Sequence, residues 1–97
     1  MDNHYYLSVF RSRLDAARDA VIDYIFDYLR RRQVINEDTC VELIWRHCQQ
    51  TTGVSVSLDF FIGAMLASGY KVVGQDGCCY TNLSKRSPLI RRFTPRL

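Results

Sequence analysis

Leu14, Ala17, Val21, Ile25 and Leu29 recur at three- and four-residue spacing, with Ile22 and Phe26 beside them. That period is one face of an α-helix. It predicts a first helix over residues 13–32, with Ser12 as N-cap and with Arg30, Arg31 and Arg32 either as a capping cluster against the negative end of its dipole or as a second phosphate contact. Asn36-Glu37-Asp38 places acids in the first turn of a second helix, with Val41, Leu43, Ile44, Trp45 and Cys48 on its apolar side and Gly53 as its C-cap. Ser57 is a good N-cap for a third helix. Leu58, Phe61, Ile62, Met65 and Leu66 lie on one face of it, and Gly69 stops it. Tyr70-Lys71-Val72-Val73 then reads as a strand, Gly74-Gln75-Asp76-Gly77 as a hairpin turn carried by Asp-Gly, and residues 78–83 as the returning strand. The aromatic-rich start, Tyr5, Tyr6, Leu7, Val9 and Phe10, is expected to form a short strand or arm covering the core. Trp45, Phe61 and Tyr80 are expected in that core. The fold class is therefore mainly α with a small β-hairpin, in three parts: an arm over 1–10, a domain over 11–83 and a tail over 84–97.

The composition sets outer limits on this reading. Ninety-seven residues, 47% of them apolar, suit one domain with a modest core and are too apolar for a disordered chain. No apolar run approaches the roughly 18 residues of a membrane span, and the first residues lack the basic start and cleavage site of a secretory signal. Cys40 and Cys48 fall in one predicted helix, roughly 12 Å apart at the helical rise, too far for a disulfide. Cys78 and Cys79 are adjacent, where a bridge is strained. Free thiols and a reducing, intracellular setting follow as expectations.

The net charge of +3 hides an asymmetry. Residues 1–83 hold eight basic and ten acidic groups, a balance of −2, whereas residues 84–97 hold Lys85, Arg86, Arg91, Arg92 and Arg96 and no acid. Arginine outnumbers lysine eleven to two, which favours bidentate contacts to phosphate or carboxylate. Leu89, Ile90 and Phe93 alternate with the tail's basic clusters. Lysine and arginine near phosphates release counterions, and Phe93 offers a stacking face to an unpaired base.

Three helices with a terminal hairpin are the parts of a winged helix. Residues 57–83 resemble the third helix and wing of that superfamily, with Phe61, Gly69, Asp76-Gly77 and Tyr80 at matching places. The stretch is similar to the small C-terminal domains of viral and plasmid primase-helicases and to RFX-type DNA-binding modules. The resemblance covers roughly residues 13–83. It implies a three-helix winged-helix-like fold and a nucleic-acid-binding or protein-docking role. One departure stands out: between Ser57 and Ser68 there is no Arg, Lys, Asn or Gln, and Asp59 is the only charge. A helix that reads bases carries such side chains.

Two functions of different class follow. In the first, wing and tail meet nucleic acid, DNA rather than RNA, through Lys71, Gln75, Lys85, Arg86, Arg91 and Arg92, mainly at phosphates, in a replication or transcription regulator. In the second, the chain is a protein-interaction or dimerisation module. Its surface is then the third helix's Phe60, Gly63, Ala64 and Ala67, the acidic stripe that includes Asp19 and Asp23, or the N-terminal arm. Asp15, Asp19, Asp23 and Asp27 recur every four residues, where like charges cost about 0.2–0.5 kcal/mol per pair. Such a stripe is either a solvated face or a dock for a basic segment. No Cys-x-x-Cys, Gly-x-Ser-x-Gly or phosphate-cradling Gly-rich loop occurs, so no metal, cofactor or catalytic site is expected.

Overall fold

The most apolar stretch of the chain forms its innermost helix. In the computed structural model, which describes residues 2–90, helix α4 spans Leu58–Ala67, and Phe60, Phe61, Ile62, Gly63, Ala64 and Met65 are all buried. A helix that is apolar all round has no face for water and is stable only when surrounded. Ser57 starts it as expected, its hydroxyl accepting from the Phe60 amide at 3.1 Å.

The other elements wrap around that helix. Helix α1 (Asn3–Arg11) is followed by α2 (Ala16–Tyr28), strand β1 (Arg31–Cys40), helix α3 (Val41–Thr52), α4, and strands β2 (Val72–Gln75) and β3 (Cys78–Leu83). The three strands form one antiparallel sheet in the order β1-β3-β2. Val21, Ile25, Leu29, Val41, Ile44, Cys48, Phe61 and Leu83 share a single core.

Helix α1 corrects the reading of residues 1–10 as a strand or arm. Asp2 caps it by accepting from the Tyr5 amide at 3.2 Å. Tyr6, Val9 and Phe10, spaced three and four apart, turn toward the core. The helix lies directly on α4. A Cβ at Gly63 would collide with the Tyr6 carbonyl and come within 2.7 Å of the Phe10 Cβ. The absence of a side chain there allows the two backbones to touch. Phe10 meets Phe60 at 5.4 Å between ring centroids, and the Tyr5 hydroxyl donates to Asp59 at 2.7 Å. Arg18 stacks its guanidinium 4.6 Å from the centre of the Phe10 ring.

The first long helix is shorter than its periodicity suggested. Ser12 ends α1 instead of opening α2, and α2 stops at Tyr28 because Leu29 turns to extended geometry. Arg30 then donates to the freed carbonyls of Phe26 and Leu29 at 2.7 and 2.8 Å. Val21, Ile25 and Leu29 are buried as expected, but Leu14 precedes the helix and is exposed, and Phe26 is 79% exposed. Tyr24 completes the buried face, its hydroxyl 2.9 Å from Nδ1 of His47.

Residues 36–38 belong to β1, not to the start of a helix. This strand is polar and irregular, pairing Arg31 with Leu83, Asn36 with Thr81 and Cys40 with Tyr80 across two register shifts. Buried amides stitch it in place. Asn36 donates to the Leu83 carbonyl at 3.1 Å and accepts from the Asp38 amide at 2.8 Å. Helix α3 ends as expected at Gly53, which takes the left-handed φ of 74°. The hairpin also matches expectation: Asp76 and Gly77 both have positive φ, 53° and 79°, as a type I′ turn requires.

The basic tail expected over 84–97 is packed against the domain as far as Ile90. Ser84 donates its amide to the Arg30 carbonyl at 2.7 Å. The Ser87 hydroxyl accepts from the Arg30 amide at 2.8 Å and donates to the same residue's carbonyl at 3.0 Å. Leu89 is fully buried, with its amide on the Tyr28 carbonyl at 3.0 Å.

Candidate nucleic-acid interface

One amide, Asn82, joins Lys71 to the arginine-rich start of β1. This side chain is almost fully buried. It donates to the Arg32 carbonyl at 2.6 Å and accepts from the Lys71 amide at 2.8 Å. It thereby ties the start of β1 to the residue preceding β2, at the end of the sheet where β3 runs out into Ser84, Lys85 and Arg86. Lys71 reaches to 3.5 Å from the Gln33 carbonyl. Lys85 lies 3.5 Å from Asp38, with both side chains well exposed, so this pair contributes little to stability. Arg86 is exposed. Lys71, Lys85 and Arg86 thus share one end of the sheet.

Gln75 does not join them. It pairs with Cys78 at the hairpin tip, about 10 Å along the strand from Val72 at the strand rise. Arg91 and Arg92 lie outside the described residues.

Tertiary structure adds the arginine triplet, which the sequence reading treated mainly as a helix-capping cluster. Arg30 does cap α2. Arg31 and Arg32, however, belong to β1, with Arg31 donating to the Gly69 carbonyl at 3.1 Å and Arg32 to the Val34 and Ile35 carbonyls at 3.1 and 3.3 Å. A carbonyl partner fixes a guanidinium without neutralising it, and each guanidinium has five N–H donors. The local field is felt at buried Tyr70: burial pushes its phenol up, while the nearby Arg30 and Arg31 guanidinia pull it back down. The end of the sheet therefore carries cations from three separate segments, faced by Glu37 and Asp38.

No family model, curated protein or solved structure matches this chain. The geometry of the site is thus the ground for its assignment.

The residues expected to form a protein-binding face on the third helix are corrected by the fold. Phe60, Gly63 and Ala64 are interior, because α1 covers the side on which they lie. The small-residue face does pack closely against a helix, but that helix is the chain's own. Ala67 is exposed at the end of α4, and Asp19 and Asp23 are exposed on α2. Asp15 precedes α2, where Arg13 bonds its carboxylate at 3.0 Å and holds it below the usual range. The acidic stripe therefore consists of Asp19, Asp23 and Asp27.

The cysteines are free thiols. Among the described residues no group of three or more acidic, His or Cys side chains is arranged to hold a metal ion, and no helix is long and apolar enough to cross a membrane. Burial pushes the Cys48 thiol up to about 12. Below its ordinary value of 9.0 it is neutral whether folded or unfolded, and above that only the unfolded chain ionises. Its contribution to stability is accordingly complete below pH 9.0 and is lost as pH rises toward about 12. Thiol labelling of the native protein near neutral pH should leave Cys48 unmodified while the half-buried Cys40, Cys78 and Cys79 react. Modification of Cys48 without denaturant would contradict its burial.

Proposed function

We propose that this chain is a small, winged-helix-like nucleic-acid-binding module that grips phosphates with the basic end of its sheet. The observation that carries the reading is that Arg31 and Arg32 at the start of β1, Lys71 before β2 and Lys85 and Arg86 after β3 lie at one end of the sheet, with Asn82 tying Arg32 to Lys71. Cations from several segments at one end of a sheet, only one of them paired with a carboxylate, suit a phosphate backbone, which positions a protein without conveying sequence. Helices α2, α3 and α4 followed by the β2–β3 hairpin supply the parts of a winged helix, with β1 added beside β3. Because α4 is interior, it is not offered to a major groove, which accounts for its lack of basic side chains. Specificity is then weak or supplied by a partner, as in an accessory role in replication or transcription, with DNA preferred over RNA.

Fluorescence anisotropy of the full chain with short single- and double-stranded DNA and RNA, across a salt series, tests this. Binding should weaken steeply with salt, because each phosphate contacted contributes about −0.9 to the slope of log K against log salt. Lys71→Ala and Arg86→Ala should each flatten that slope by about one and weaken all sequences alike. Absence of salt-sensitive binding at low ionic strength would sink the reading.

A further inference from the structure

Phe26 is an apolar side chain that the core leaves out. It stands 79% exposed on α2, beside an open groove of about 440 Å³ lined by Ile22, Ile25, Leu29 and Tyr70, with Arg30 and Arg31 at the rim. A cavity of about 150 Å³ is enough to admit benzene, so the groove has room for an aromatic ring. Asp19, Asp23 and Phe26 follow one another at four- and three-residue spacing on α2, and residues so spaced are neighbours on its surface; Arg30, just past the helix, folds its guanidinium back onto the Phe26 and Leu29 carbonyls. The face is therefore acidic along the helix through Asp19, Asp23 and Asp27, basic at its C-terminal end through Arg30 and Arg31, and carries an exposed phenyl ring near the junction.

We propose that this face binds a second copy of the chain, with the two α2 helices antiparallel about a two-fold axis beside Phe26. A two-fold interface must be complementary to itself, and this patch has that property in both shape and charge. It carries the protruding ring and the groove that receives one. Reversing one copy sets its Asp23 against Arg30 of the other, and the converse pair forms by symmetry. A uniformly charged partner, nucleic acid included, meets the wrong sign over half of the stripe. The proposal does not depend on phosphate binding: Arg31 is common to the two sites, but Phe26 belongs only to this one and Lys71, Lys85 and Arg86 only to the other.

Sedimentation equilibrium of the full chain at rising concentration reads this directly. The wild type should pass from one to two chain masses. Phe26→Ala, at a position the core does not use, should weaken the dimer at least about tenfold, as expected for a central aromatic anchor. Two charge variants test the pairing: D19R/D23R/D27R makes the stripe wholly basic and R30E/R31E makes it wholly acidic. Each should be monomeric alone, and mixing the two should restore a dimer. Where loss of the Arg30 cap unfolds the second variant, as judged by circular dichroism, Phe26→Ala still decides. A wild type monomeric at every concentration, or a dimer indifferent to Phe26, would overturn the proposal.

Discussion

Gly63→Leu should lower the midpoint of urea unfolding sharply, with a loss in the upper part of the roughly 1–3 kcal/mol typical of overpacking. The Cβ alone would collide with the Tyr6 carbonyl, which is backbone and cannot swing aside, and would press on the Phe10 Cβ at 2.7 Å. Either α1 lifts from α4, uncovering Phe10 and Phe60, or α4 shifts within the core. On an exposed interaction surface, where the sequence placed Gly63, the same bulk would break an oligomer without unfolding the domain. With Gly63 buried beneath α1, the cost falls on the fold. Gly74→Ala serves as control, because a Cβ at Gly74 meets nothing within 4 Å and the residue is not in the left-handed region; it should change stability by less than about 0.5 kcal/mol. A Gly63→Leu protein as stable as this control would refute the close approach of α1 to α4.

Leu89→Ala should cost about 2–5 kcal/mol, the range for truncating a buried leucine, although Leu89 lies in what reads as a basic tail. The side chain is fully buried, and its amide is bonded to Tyr28. Ser87→Ala should cost about 1–3 kcal/mol, because the Arg30 amide loses its acceptor at a partly buried site. Thermal or urea unfolding measures both, and wild-type midpoints in both would show that residues 84–90 are not held against α2. The same packing affects the design of binding experiments. A chain cut at Ser84 loses Ser87 and Leu89 together with the basic residues, so lost binding would not separate charge from stability. Arg91→Ala and Arg92→Ala remove charge while keeping Ser87 and Leu89 in the chain.

Parts of the fold were legible because they rest on short-range rules. The Ser57 cap, the Gly53 terminus and the Asp76-Gly77 turn each need a particular residue at a particular backbone geometry, and each formed where expected. The pairing of Tyr6 with Phe10, four apart behind Asp2, was also a local helix signal, obscured by the aromatic character of the segment. Strand β1 had no comparable signal. Its sequence does not alternate, because buried Asn36 and Asn82 hold it by side-chain amides rather than by an apolar face. The end of α2 was hidden for a related reason: the apolar period continues to Leu29, which remains buried after the backbone has turned extended.

The candidate site divides in the same way. Lys71, Lys85 and Arg86 stood out by charge alone, but that they share one end of the sheet while Gln75 does not follows from strand register, a relation between distant segments. Arg31 and Arg32 were legible as a second phosphate contact, but their place beside Lys71 depends on β1, which the sequence did not signal. By itself the sequence determined the Ser57 and Gly53 caps, the Asp76-Gly77 turn, the apolar content of α4 and the excess of positive charge toward the C-terminus, since each depends on residues within a few positions of one another. Only the tertiary structure decided which apolar residues are covered. It buried Gly63 under α1 and Leu89 against α2 and left Phe26 in water, because burial depends on what packs opposite a residue, and periodicity within one segment does not specify its neighbours.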